Sequence, residues 1–299
     1  MEYNDTYNSS YNDQGDSQYK PFEVFILNVF ILVTCCVGFL GNGTVIWLLV
    51  FHIRRKPFTT YILNLAIADF AFLLNLEIYA FTWFPYYVLH SIAFCLLSFT
   101  YNTGQLLLTA ISIDRCLSVL FPIWHRCVRP THLSTTVCAL IWLLSCLLGV
   151  MLYILEKYYT FPSWLSDTGQ YVLTGLLCLP LMTISTVILF LKVCFKSHPR
   201  KRGRLLMVIL LTLLFFLVLA FPLNALLLAV AIGGLNIPGL FHYAFLCASL
   251  DSCVNPYLYF LVGSRKGGQS RESLLAILQR NDEGGDTPSG IQDRGHLGL

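Results

Sequence analysis

Three carboxylic acids stand inside long apolar stretches of this chain: Asp69, Glu77 and Asp251. A fourth, Asp114, sits beside Arg115 at the end of such a stretch. An ionisable group near the centre of a bilayer costs about 2.5–3.5 kcal/mol on insertion scales, so each of these needs a reason. Asn42, Asn64, Asn102, Asn224 and Asn255 add amides. A lone amide serves interhelical hydrogen bonding. Several carboxylates and amides at similar depth predict a shared polar cluster. Two nearby carboxylates in low dielectric should not both stay charged without a cation.

The elements that carry these groups follow from composition. Of 299 residues, 56% are hydrophobic and 12% charged. Soluble domains carry about 25% charged residues, so lipid is the expected solvent. A bilayer core needs about 20 apolar residues in a helix. Seven such runs occur: 24–51, 58–84, 91–120, 133–155, 171–193, 205–232 and 240–262. The expected fold is an all-α membrane protein, a seven-transmembrane helix bundle over 24–262. Residues 1–23 form a polar tail, and the first run is read as a retained helix and not as a cleaved signal. Pro180, Pro222 and Pro256 each remove a backbone donor and bend a helix, giving either a hinge or a static kink. A net charge of +3 is too small to argue for nucleic acid. No P-loop, zinc-spaced Cys/His pair or dinucleotide fingerprint appears, so neither a metal site nor an organic cofactor is expected. No nucleophile–base pair is evident, and an enzyme is the least favoured class.

Basic residues set the orientation. Arg54, Arg55, Lys56, Arg126, Arg129 and the cluster from Lys192 to Arg204 lie between runs on one side, and Arg265, Lys266 and Arg271 follow the last run. Only Lys20 and Lys157 lie on the other. The N-terminus is expected outside, the C-terminus in the cytosol, and the protein in the plasma membrane. Sequons at Asn4 and Asn8 are candidate glycosylation sites on the outer tail.

The motifs then fall into an order. Gly41-Asn42 lies in the first run and Leu65-Ala66-Ile67-Ala68-Asp69 in the second; Asp114-Arg115-Cys116 ends the third. Trp142, Pro180, Phe216 with Pro222, and Asn255-Pro256-Tyr257-Leu258-Tyr259 mark the remaining four. One motif per helix, in this order, resembles the rhodopsin-like G-protein-coupled receptors along the whole membrane region. The runs KPFTTYILNLAIADF, LLLTAISIDRCLSVLFPIW, RPTHLS and YFLVGSRK are similar to the Mas-related receptors, whose members often sense basic peptides or small amines.

The resemblance implies an extracellular ligand, a heterotrimeric G protein inside, and two states that each partner biases. It implies an activation switch of Asp114, Arg115, Asn255, Pro256, Tyr259, Phe216 and Pro222, in which Arg115 leaves Asp114 and reaches toward Tyr259 and the G protein. It assigns Pro122 and Ile123 to G-protein contact; Ile123 is equally readable as a membrane-surface residue. It matches Asp69, Ser252 and Asn255 to the receptors' sodium site, with Gly104 in place of an expected hydroxyl and Asp251 in place of an amide or hydroxyl, so Asp69 and Asp251 are expected to hold a sodium ion or to share a proton.

Other departures concern the outer end. His90 stands where a helix-three cysteine is usual, and residues 156–170, read as an outer loop, contain no cysteine. No outer-loop disulfide is expected. The helix-six segment begins with Arg202 and Arg204 and not with an acid, so an ionic lock from Arg115 to that helix is not evident and basal activity is expected. Leu97 replaces the aspartate that grips amines. Glu77, Tyr101, Glu156, Trp164 and Asp167 are the candidate ligand-binding residues, because carboxylates and ring faces hold cations. Solvated loop acids and an aromatic belt are the plainer alternatives. Residues 263–280 suit a short amphipathic eighth helix on the inner leaflet, followed by a tail over 281–299. The competing functions are a seven-helix binding protein without G-protein signalling, and a transporter or channel.

Overall fold

A computed structural model describes residues 21–52, 57–81, 87–158, 163–195 and 238–264, with positions 214, 218–219, 221–222 and 224–226. Its elements are all helical: α1 (Pro21–Phe51), α2 (Pro57–Phe81), α3 (Tyr87–Leu120), α4 (Pro122–Cys127), α5 (Leu133–Tyr158), α6 (Ser163–Phe195) and α7 (Pro238–Ser264). Lipid offers no partner for a backbone N–H or C=O, so a spanning segment must satisfy its own by coiling into a helix. Proline opens α1, α2, α4 and α7. At a first helical position its missing N–H is one of the unused donors, and its fixed φ already suits the helix.

Five of these helices contain spans long and apolar enough to cross a membrane: Phe22–Phe51, Pro57–Phe81, Ile92–Leu120, Leu133–Met151 and Gly175–Lys192. Of the sixth apolar run, the few described positions, up to Leu226, are helical. Gly263 and Ser264, the first residues proposed for an eighth helix, still belong to α7; residues 265–280, together with Asn4, Asn8 and Phe216, lie outside the described residues.

The packing is centred on α3, which touches α2, α4, α5 and α6. Helix α1 packs on α2 and α7, and α2 also meets α5 and α7. One apolar core joins Leu107, Leu108 and Ile111 of α3 to Tyr61 and Leu65 of α2, Cys138 and Ile141 of α5, and Met182 of α6. A second, toward the other end, joins Ile31, Phe72, Leu97, Tyr101, Leu226 and Ala244. Outward-facing positions are apolar too, among them Leu140, Leu143, Leu144 and Leu147 of α5. Polar side chains such as Asn42, Asp69, Asn102 and Asn255 are buried. That arrangement suits a lipid surround, where the surface has no water to satisfy.

The kinks have identifiable compensation. Pro256 has no N–H, so the carbonyl of Ser252 one turn earlier loses its helical donor. The Asn42 amide of α1 donates to that carbonyl at 3.0 Å. Gly41 lets α1 come this close: a Cβ there would lie 3.0 Å from the Tyr257 ring and 3.2 Å from Pro256. Tyr257 closes the seam by donating its hydroxyl to the Val37 carbonyl at 2.9 Å. The Gly-Asn pair of the first run and the Asn-Pro pair of the last are thus one structural device.

Three expectations change. Helices α5 and α6 run further than the hydropathy runs, to Tyr158 and from Ser163. Of the presumed outer loop of 156–170, residues 156–158 and 163–170 are helical, so Glu156, Trp164 and Asp167 sit on helices. Polar residues broke the apolar pattern there without breaking the helix, because helix formation needs backbone continuity and not hydrophobicity. The segment holding Pro122 and Ile123, which lies between the third and fourth apolar runs, contains the short helix α4, which Pro122 starts.

Candidate functional site

The polar groups gather in two places, and the first is the Asp114 end of α3. Asp114 falls on the buried side of its helix, with its side chain 10% exposed. The residue that grips it is Arg129, from the turn between α4 and α5, whose Nη2 lies 2.8 Å from Asp114 Oδ1. The same guanidinium donates to the Ser134 hydroxyl of α5 at 2.7 Å and contacts His125 Nε2 of α4 at 2.9 Å. His125 lies 3.7 Å from Asp114. Ser134 also meets the Tyr61 phenol of α2. Four helices and one turn therefore converge on a single carboxylate.

A guanidinium only donates, so the His125 nitrogen facing Arg129 must be an unprotonated acceptor. Burial holds the His125 imidazole below its usual value, and the Arg129 and Arg115 charges push the same way against the pull of Asp114. Arg115 lies elsewhere: its guanidinium carbon sits 3.8 Å from the centre of the Phe58 ring of α2. A cation over a ring face is attracted by the ring quadrupole. Asp114 and Arg115, adjacent in sequence, are thus drawn toward different helices.

The second place lies midway along α2, α3 and α7. Asn255 donates to Asp69 Oδ2 at 2.9 Å. Ser252 presents its side chain to the same carboxylate, and Asp251 lies within electrostatic reach of it while only 6% exposed. A Cβ on Gly104 would stand 3.6 Å from Asp69 Oδ1. That glycine does face the acid, where a longer residue would add a ligand. Asp69, Asp251, Ser252 and Asn255 are brought together as the sequence predicted. A narrow crevice lined by Asn42, Asp69, Asn255 and Pro256 runs alongside. Asp69 Oδ1, the Ser252 side chain and the Asp251 carboxylate are the donor set a cation would use.

The predicted ligand-binding residues are not brought together. Tyr101 is 4% exposed, packs against Phe72, and accepts from the Asn224 amide at 3.1 Å. Glu77 is half-buried and touches the Cys35 thiol of α1. Glu156, Trp164 and Asp167 belong to α5 and α6, with side chains outside the described ones. Tyr259 lies on α7, its side chain likewise outside them. Pro222 is half-buried and helical. Ile123 projects from α4 with 77% of its surface exposed.

At the other end of α3, His90 stacks on Tyr79 of α2 with centroids 4.5 Å apart. Tyr79 also meets Phe94 at 5.8 Å and Phe245 of α7 at 5.9 Å. Rings tie α2, α3 and α7 around His90, the position at which a helix-three cysteine is usual. The described cysteines, from Cys35 to Cys253, are free thiols.

His125, Arg129 and Ser134 were not singled out as site residues. Arg129 was counted only as one of several basic residues that orient the chain. The run RPTHLS drew attention as a family resemblance, but nothing in its spacing pairs Arg129 with Asp114, fifteen positions away.

Comparison with known proteins adds the family. The description "7 transmembrane receptor (rhodopsin family)" matches residues 41–259. "Proto-oncogene Mas" of Rattus norvegicus is 37% identical over 286 residues, covering 91% of this chain and 87% of its own. "Mas-related G-protein coupled receptor member D" of Macaca fascicularis is 40% identical over 288 residues, covering 88% and 89%. "Mas-related G-protein coupled receptor member H" of Mus musculus is 42% identical over 265 residues, covering 83% and 81%.

Proposed function

The chain belongs to the rhodopsin family of seven-transmembrane receptors, with Mas and the Mas-related receptors as relatives, and on that premise we propose what it senses and how it switches. It is a class A G-protein-coupled receptor, a multi-pass membrane protein and not an enzyme. It takes an extracellular ligand and couples to a heterotrimeric G protein. Our reading is that it spans the plasma membrane seven times, with Asn4 and Asn8 glycosylated outside and an amphipathic eighth helix against the inner leaflet.

The ligand in this reading is cationic, a basic peptide or a small amine. The observation that carries it is the length of α5 and α6. Glu156 lies in the last turn of α5, Asp167 near the start of α6, and only residues 159–162 separate the two helices. Two carboxylates on adjoining helix ends form a better cation site than acids on a solvated loop, because helices hold their positions and loops do not. Trp164 on α6 supplies a ring face nearby in sequence. Glu77 and Tyr101 take an indirect part, since both are engaged deeper in the bundle.

Within the membrane, Asp69, Asp251, Ser252 and Asn255 form a site for a sodium ion or a shared proton, either of which relieves two acids in low dielectric. At the cytosolic end, Arg115 is the group that moves, with Asn255, Pro256, Tyr259, Phe216 and Pro222 as the elements that let it. Ile123 and Pro122 on α4 meet the G protein.

A screen of basic peptides and amines with calcium and cyclic-nucleotide readouts tests the ligand class. An agonist from that screen should lose about tenfold or more in potency on Glu156→Gln or Asp167→Asn, each substitution removing a charge-assisted contact. Undiminished potency in both variants rejects the acidic site. Arg115→Ala should abolish agonist-stimulated nucleotide exchange at retained surface expression.

A further inference from the structure

We propose that α4 docks by its outward apolar face on the inner leaflet of the membrane, an anionic lipid surface, while no G protein is bound. The inference goes beyond the reading of Ile123 as a G-protein contact. It names what the same residue covers in the resting receptor, and it stands whether or not that reading does.

The first observation is that α4 is amphipathic in the wrong sense for water. His125 and Arg129, four positions apart, turn inward to Asp114, with side chains 21% and 8% exposed. Successive helix residues advance by about 100°, so the face opposite that pair carries Ile123, Trp124 and Cys127. Ile123 is 77% exposed and Trp124 38%, and the Cys127 thiol is exposed as well. Phe121 and Val128, at the two ends, are more than half exposed. A helix at a water-facing surface turns its apolar side in and its charges out. Here the polar groups are inside and the large apolar groups outside. An apolar surround removes the contradiction.

The second is depth. The span Ile92–Leu120 ends one residue before Phe121, and the next span begins at Leu133. Residues 121–132 leave one span and enter the other, so they stay at the boundary they left. Trp47, near the inner end of α1, is also outward-facing, with its ring 4.3 Å from that of His52. Indoles at a membrane boundary sit at the level of the headgroups, which suits Trp47 and Trp124 alike. On α6, Phe190 and Leu191 at the inner end of the span Gly175–Lys192 are about half exposed. The lipid-facing surface of the bundle thus runs down to the cytosolic boundary, and the face of α4 continues it.

The third is charge. Arg126 stands within α4, and the other connections on this side carry Arg54, Arg55, Lys56, Lys192 and Lys196. Basic residues are drawn to the anionic lipids of the inner leaflet within a Debye length. A short apolar face alone holds a membrane weakly, and basic residues beside it supply the second attraction that makes the contact stable. Lipid is also the permanent neighbour of this boundary, whereas a G protein comes and goes. Ile123 cannot lie in the leaflet and against a G protein at once, so the two compete for it.

The test uses the full chain in lipid nanodiscs, first without G protein. Trp124 emission, isolated as the difference between the parent and Trp124→Phe, should be quenched by lipids brominated high on their acyl chains and not by aqueous iodide. Cys127 is a second reporter, followed by mass spectrometry of its own peptide during reaction with a membrane-impermeant maleimide. Ile123→Asp places a charge on the docking face at an exposed position, where folding is least disturbed. It should speed the labelling of Cys127 by at least about threefold. Replacing part of the phosphatidylcholine by phosphatidylserine should slow labelling of the parent by about threefold, and Arg126→Gln should lose most of that effect.

Quenching of Trp124 by iodide and not by the brominated lipid overturns the docking, and so does labelling of Cys127 in the parent as fast as in Ile123→Asp. The face would then be open to water and kept for a protein. Labelling that ignores phosphatidylserine rejects the anionic surface. The G-protein reading fails separately. Nucleotide-free heterotrimeric G protein, added to the same nanodiscs, should lower the quenching of Trp124 by brominated lipid as Ile123 changes partner. Quenching that stays the same in a complex shown to co-elute keeps the leaflet docking and rejects Ile123 as a G-protein contact.

Discussion

Around one end of α3, Asp114 is gripped by Arg129 at 2.8 Å; around the other, His90 stacks on Tyr79 with centroids 4.5 Å apart. The first contact is directional, desolvated and single. The second belongs to a set of rings, with Phe94 and Phe245 sharing the Tyr79 face and edge. Losing one partner of a buried ion pair strands a charge, whereas losing one ring from a cluster leaves neighbours that close in. The Asp114 end should therefore behave as a switch with two discrete arrangements, and the His90 end as a pliable joint.

The sharpest way to break the comparison is to remove one group from each end. Asp114→Ala leaves Arg129 buried without its counter-charge and should lower the stability of the purified receptor by about 3 kcal/mol. Thermal unfolding in detergent measures it, and a loss no larger than that from the ring cluster would erase the distinction. Tyr79→Leu comes next. It removes stacking and edge contacts of about 1 kcal/mol and should leave basal nucleotide exchange within about twofold of the parent. A larger rise in exchange would mean that the ring joint is a switch as well.

The smallest effect is on pH. His125 is held below the ordinary imidazole value of 6.5 by burial, with Arg129 and Arg115 opposing its protonation and Asp114 favouring it. The unfolded chain takes up that proton before the folded one does. Stability should therefore fall as pH drops below the ordinary value, and level off beneath the lower native one. Protonation also removes the acceptor that Arg129 uses. His125→Gln keeps an acceptor without the titration and should flatten that part of the profile; a slope unchanged from the parent would exclude His125 from the Asp114 cluster.

The structure bears out most of the helix positions read from the sequence, because apolar runs and prolines are local signals. Trp142 and Asn64 were named separately, and the indole of α5 does donate to the Asn64 oxygen at 3.0 Å. The polar cluster of Asp69, Asp251, Ser252 and Asn255 was legible because acids and amides in apolar surroundings stand out. The extensions of α5 and α6 were not, since polar helical turns beyond the apolar core look like loop in a hydropathy profile. Helix α4 was missed for its length, although Pro122 marked its start.

Composition and periodicity determined by themselves that this chain lives in lipid, that it is helical, and that acids must meet somewhere inside it. The ordered motifs determined the family. Only the tertiary structure decided which partner each charge takes. Asp114 stands next to Arg115 in the chain, yet neighbours on a helix point in different directions. Asp114 therefore turns to Arg129 of the α4–α5 turn, and Arg115 to Phe58 of α2. Sequence spacing governs what lies on one helix face; which face meets which neighbour is decided by how the helices pack.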